Sequence, residues 1–153
     1  MSADPVFTHR FRVPFADTDL AGIVHFSNFF RYMENAEHAF FRSLGFSIHP
    51  DGSGATNLDV YPGFGWPRIS ASCDYKKPLR FEEELTVAIR IEEMGSKTIR
   101  YEFQFLQDEA VTPSAIGQLT VICVTFDEAS KRMRAADIPD AIRERIEQAR
   151  SAI

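Results

Sequence analysis

Along residues 7–15 apolar and polar side chains alternate, with Phe7, His9, Phe11, Val13 and Phe15 on one face and Thr8, Arg10, Arg12 and Pro14 on the other. A period of two predicts a strand, and Pro14, which has no N–H for a ladder, predicts that the strand ends at an edge or a bend. The period then changes. Phe29, Met33, Ala36, Phe40 and Leu44 recur at helical spacing, and Phe30 and Phe41 widen the stripe. Ser27 or Asn28 is placed to cap this helix, and Gly45 to follow its last turn. The pattern predicts about eighteen residues of helix, with Glu34, Glu37 and Arg42 turned to water or to a partner.

The period of two returns four times: at Ile69, Ala71, Cys73 and Tyr75; at Leu85, Val87, Ile89 and Ile91; at Ile99, Tyr101, Phe103 and Phe105; and in the nearly continuous apolar run of residues 119–126. The last, apolar on both sides, predicts a central strand. Gly95-Ser96 predicts a hairpin, and residues 108–113 a longer turn. Pro139 opens a short covering helix with Ile142, Ile146, Ala149 and Ile153 on one face and Arg143 and Glu147 spaced to pair on the other. Residues 46–67 keep no period and carry Pro50, Gly52, Gly54, Pro62, Gly63, Gly65 and Pro67, so they read as a long irregular connection. Its aromatics Tyr61, Phe64 and Trp66 either line a pocket or pack over the sheet edge. No fixed repeat is visible. The element order predicts an α+β fold in which one long helix lies against the concave face of a curved five-stranded antiparallel sheet.

Length and composition narrow this picture. A chain of 153 residues is one domain, 1–153, able to bury about 70% of its unfolded surface without a metal or disulfide staple. A net charge of -5 argues against a nucleic-acid surface, while leaving room for a local basic patch toward one phosphorylated ligand. Cys73 and Cys123 sit in apolar alternating runs, as inert thiols of a reducing compartment do. With no signal-like N-terminus and no eighteen-residue apolar stretch, the expected partners exclude membranes and the expected location is the cytoplasm.

The candidate chemistry lies ahead of the long helix. Asp17-Thr18-Asp19 brings two carboxylates to a turn that Gly22 can sharpen, directly before the helix start. One reading is turn and capping chemistry. The other is a site for acyl transfer: one carboxylate, stabilised as an anion near the helix N-terminus, acts as general base or nucleophile, and free N–H groups around His25, Phe26 and Ser27 supply an oxyanion hole. Metal chemistry finds no support in spacing, because Glu34, Glu37 and His38 do not place two good ligands on one helix face, and His9, His25 and His49 are not spaced with them.

The run Asp17-Thr18-Asp19-Leu20-Ala21-Gly22-Ile23-Val24-His25-Phe26, with Asn28 and Phe29, and later Tyr75-Lys76-Lys77-Pro78 and Leu85-Thr86-Val87, resembles the hotdog-fold acyl-CoA thioesterases of the 4-hydroxybenzoyl-CoA thioesterase-like group. That resemblance implies a hotdog fold, hydrolysis of acyl-CoA with no cofactor beyond the coenzyme A of the substrate, and a homodimer or tetramer with sites at the subunit interface. It also implies that Asp19 is the catalytic carboxylate, that Asp17 and Gly22 support the loop, and that the Phe26 N–H polarises the thioester carbonyl. His25 lines the site or packs beside it. Lys97, just after the Gly95-Ser96 turn, matches a basic position near the family's nucleotide site, and Arg132 and Arg134 are candidates from the last turn. Three features depart from the family pattern: the length of residues 46–67, Glu83 where Asp is usual, and Glu37 where the helix often carries Arg. A non-catalytic acyl-CoA-binding module is the competing reading; a hotdog dehydratase fits less well, because the Gly-His-Phe-Pro context is absent.

Overall fold

The computed structural model describes residues 4–49, 58–108 and 110–152. Pro50, Gly52, Gly54 and Ile153 lie outside the described residues. Strand β1 (Phe7–Arg12) leads through a single 3-10 turn at Phe15–Asp17 into helix α1 (Asn28–Ser43). The two-residue β2 (Phe64–Gly65) is followed by β3 (Arg68–Tyr75), β4 (Glu84–Met94), β5 (Thr98–Gln107), β6 (Ala115–Ile122), β7 (Val124–Asp127) and β8 (Arg132–Ala135), and helix α2 (Asp140–Ser151) ends the chain. The main sheet is five-stranded and antiparallel, in the order β1-β4-β5-β6-β3. Its architecture is the predicted hotdog arrangement, with α1 packed on the sheet's apolar face.

Alternation puts Val87, Ile89, Ile99, Tyr101, Phe103, Phe105, Ala115 and Val121 on that buried face. Phe29, Tyr32, Met33, Ala36, Phe40 and Phe41 of α1 are buried against it. The helix settles onto β6 because Gly117 has no side chain: a Cβ there would stand 2.3 Å from the Met33 sulfur. Phe103 and Cys73 flank Gly117 on either side in the register, so the row across the sheet is lowered under Met33.

Several local expectations are corrected. The strand ends at Arg12 and Phe15 is 73% exposed, because Pro14 turns the chain into the 3-10 turn and rotates Phe15 away from the core. Helix α1 has 16 residues, and Ser27 precedes it without a side-chain capping bond, since its hydroxyl faces His25 instead. Gly45 follows the helix at φ +91, as the C′ position favours. The run 119–126 is not one strand: it divides at Cys123, whose N–H turns to Lys97, and β7 leaves the main sheet to pair with β2 and β8. Tyr61, Phe64 and Trp66 take the packing role, ring against ring with Phe46 and Phe41. Arg143 does not meet Glu147; it donates to the carbonyls of Gly95 and Ser96 and fastens α2 to the hairpin, while Glu147 pairs with Arg150. Cys123 is buried as expected, but Cys73 is half-buried on the outer strand.

The largest correction is Glu37, which is 1% exposed rather than turned to water. Arg68, at the start of β3, reaches over α1 and donates to both of its carboxylate oxygens, at 3.1 and 2.5 Å. Glu34 and His38 stand at the outer side of this pair. Burial pushes the Glu37 carboxyl up to about 7, against the opposing pull of Arg68.

Two outcomes follow from this packing. Gly117→Ala forces Met33 out of its seat and lowers the unfolding free energy by about 1–3 kcal/mol in urea melts, whereas a neutral result would mean that the seat is loose. Because folded Glu37 holds its proton more tightly than the unfolded chain does, stability falls as pH rises from about 4.5 to about 7 and then levels off. Glu37→Gln flattens that part of the pH profile; an equal decline in the variant would assign it to another group.

Candidate active site

The stretch from Asp17 to Asn28 is a loop closed on itself by its own backbone. Asp19 N–H donates to Ile23 O at 2.8 Å and Gly22 N–H to Asp19 O at 2.9 Å, which requires the sharp reversal that Gly22 makes at φ +79. Val24 N–H donates to Leu79 O at 2.7 Å, and Ile23 bridges to Arg80, so the loop is stitched to the segment between β3 and β4. Asp17 holds the other side: its carbonyl accepts from His25 N–H and from the Asn28 side-chain amide, both at 2.9 Å, and its carboxylate accepts from Tyr32 Oη at 2.7 Å. Burial first, and then this carboxylate, raise the Tyr32 phenol well above its ordinary range, so it stays a donor.

Of the three N–H groups expected to be free at the helix start, two are engaged. That of His25 goes to Asp17 O, and that of Ser27 faces His25 Nδ1 at 3.3 Å. The Phe26 N–H takes no acceptor among the described residues. Both carbonyls beside it are fixed: His25 O accepts from Asn28 N–H at 2.9 Å, and Phe26 O from Tyr75 Oη at 3.0 Å. A trans peptide sets its N–H opposite its C=O, so anchoring His25 O also aims the Phe26 N–H. His25 accepts at Nδ1 from Ser27, which leaves the ring proton on Nε2, and its ring lies 4.5 Å from that of Phe26.

Asp19 Oδ1 accepts from Ala21 N–H at 2.9 Å, while Oδ2 has no partner among the described residues. Asp19 and Phe26 line a cavity of about 550 Å³ together with Ile23, Val24, Phe29 and Tyr75 to Leu79. Its floor is apolar, with Val24, Phe29 and Leu79 at most 4% exposed, and its rim is polar. Asp19, with one carboxylate oxygen unpartnered, and Phe26, with its amide unpartnered, thus line one apolar recess.

Lys97, Arg132 and Arg134 are not part of this cavity within one chain. The cavity end of the sheet is marked by the register of Tyr75, Ala115 and Phe105; Lys97 precedes Thr98, about 23 Å away at 3.3 Å per residue. Lys97 pairs there with Asp137 at 2.8 Å, and Arg132 and Arg134 are exposed on β8 at the same end. Tyr32, Tyr75, Lys76 and Lys77 were legible only as helix, strand and family positions; their place at the site depends on how β3 ends against α1. Among the described residues no group of three His, Cys, Asp or Glu side chains is arranged to hold a metal, and no helix is long and apolar enough to cross a membrane.

Comparison with known proteins gives the family. The sequence profile of the thioesterase-like superfamily matches residues 13–146. A protein of Aquifex aeolicus described as an esterase is 38% identical over 106 residues, 69% of this chain and 77% of its own length. A 1,4-dihydroxy-2-naphthoyl-CoA hydrolase of Synechocystis is 26% identical over 125 residues, 82% of this chain and 86% of its own. Among solved structures, a gentisyl-coenzyme A thioesterase superposes with a TM-score of 0.73 at 28% identity, over 90% of this chain and 99% of that one. With its central helix, its five-stranded sheet and a profile match over residues 13–146, the chain belongs to the thioesterase-like superfamily and is a hotdog-fold thioesterase.

Proposed function

We propose that the protein hydrolyses acyl-CoA thioesters, with Asp19 as the reacting carboxylate and the Phe26 N–H as the oxyanion donor. The observation that carries this reading is the pairing of one unpartnered carboxylate oxygen with one unpartnered, fixed amide donor on the same apolar cavity. The thioester carbonyl oxygen accepts from the Phe26 N–H, which stabilises the charge that develops on it. Asp19 Oδ2 then either takes a proton from the attacking water or attacks the carbonyl itself, forming an acyl-aspartyl anhydride that water cleaves. In both routes the C–S bond breaks, the thiolate leaves and is protonated to free CoA, and the acyl group leaves as a carboxylic acid. Asp17, Gly22 and Tyr75 hold the donor in place, and His25 lines the approach.

The acyl group is read as aromatic. Phe26, Phe29 and Tyr75 line the recess, and Phe29 and Tyr75 meet edge to face with centroids 4.9 Å apart, leaving flat walls. The dihydroxynaphthoyl and gentisyl thioesters named for two relatives are of the same class. A homodimer through the β3 edges completes this reading. β3 is one of the two outer strands of the sheet, with Ile69 at 58% and Tyr75 at 45% exposure, and a second subunit is the means by which Lys97, Arg132 and Arg134 would approach a bound nucleotide.

Asp19→Asn is expected to lower kcat for benzoyl-CoA by about 10²- to 10⁴-fold, read as free thiol release. Activity within a few fold of wild type would remove Asp19 from the chemistry, and no thiol release by wild type from aromatic or aliphatic acyl-CoA would leave the ligand-binding reading instead. Single-turnover hydrolysis in labelled water tests the covalent route: label in the Asp19 side chain requires the anhydride and overturns a role for Asp19 as base alone.

A further inference from the structure

The rim of the cavity carries two cations that the proposed chemistry does not use. Lys76 and Lys77 both line it, both are exposed, and neither has a carboxylate partner among the described residues, in a protein whose net charge is -5. Most other basic side chains near the sheet are neutralised: Arg10 and Arg12 by Glu84, Arg68 by Glu37, Lys97 by Asp137 and Arg145 by Asp59. The backbone under the two lysines is held firmly. Both N–H groups donate to one acceptor, Ser114 O, at 2.8 and 2.9 Å, and Ser114 N–H in turn donates to Phe105 O at 2.7 Å. The next residues, Pro78 and the buried Leu79, return the chain to the floor beside Val24.

We propose that Lys76 and Lys77 form a subsite that reads phosphate on the thiol carrier of the substrate. The inference rests on the hydrolase reading for its orientation. The acyl group fills the apolar floor at Val24, Phe29 and Leu79, so the thiol arm leaves over the rim, where the lysines stand. Acidic groups on the acyl part face the buried floor instead. An ammonium on a flexible stem suits phosphate as a point charge, and two adjacent ones on an anchored turn suit the 4′-phosphate end of pantetheine. That chemistry is common to coenzyme A and to a phosphopantetheine arm carried by a protein. The lysines also counter the repulsion that an acidic protein, with Asp19 in the same cavity, exerts on a polyanionic substrate.

The test compares benzoyl thioesters of coenzyme A, of 4′-phosphopantetheine and of pantetheine, with the wild type and the Lys76→Met/Lys77→Met double variant. The readouts are kcat/KM for each thioester and the calorimetric Kd of coenzyme A itself. The double variant is expected to reduce the preference for phosphorylated over unphosphorylated thioester by about tenfold or more, mainly through KM, and to raise the coenzyme A Kd by a similar factor. Lys76→Arg/Lys77→Arg keeps both. A loss shared by coenzyme A and phosphopantetheine assigns the 4′-phosphate, as in either carrier; a loss confined to coenzyme A assigns the nucleotide phosphates. An unchanged preference and Kd, or an equal fall on all three thioesters, overturns the proposal. Because the Kd needs no turnover, a failure of the hydrolase reading is seen separately, as absent thiol release.

Discussion

A helix can lie in the hollow of a sheet only where the sheet yields space, and here that space is the missing side chain of Gly117. With the Met33 sulfur seated where a Cβ would stand, α1 approaches β6 closely enough for Phe29, Ala36 and Phe40 to close the core on either side. Phe29 packs against Tyr75 at the end of β3, and the contacts that form the cavity gather around that junction: Phe26 bonded to Tyr75, Asp17 to Tyr32, and Val24 to Leu79. The fold supplies one rigid corner, and the chemistry is placed in it.

Within that corner selection works by subtraction. A helix start offers several unpaired amide donors, and an oxyanion hole needs one or two that are free and aimed. The loop occupies His25 N–H by Asp17 O, Ser27 N–H by the imidazole and Asn28 N–H by His25 O, and leaves that of Phe26, ahead of the helix, without an acceptor. The same economy applies to Asp19, one of whose oxygens is committed to Ala21 and the other left open.

The sequence made the large-scale features legible because each had a period to announce it. The α1 stripe, the alternation of β4 and β5, the reversal at Gly22 and the terminator at Gly45 were all readable from residue type and spacing. Contacts between elements distant in sequence were not. Glu37 stands four residues from both Met33 and Phe41, on the buried stripe, but a carboxylate there reads as solvent-facing until Arg68, thirty-one positions later, supplies its partner. The apolar run through Cys123 gives no sign that the chain changes sheets there, because both strands are apolar for different partners. Lys76 and Lys77 look like any surface pair until the register of β3 with β6 brings them to the rim. Period reports which face a residue occupies; it does not report what stands opposite.

On the proposed mechanism the oxyanion donor, the Phe26 N–H, belongs to the backbone, and this has an evolutionary consequence. Every residue except proline carries an N–H, so most substitutions at position 26 preserve the donor while changing the wall beside it. The chemical step is therefore largely insulated from point mutation at that position, whereas the shape and polarity of the recess are not. A lineage built on this corner can drift from one acyl group to another one side chain at a time without passing through an inactive ancestor.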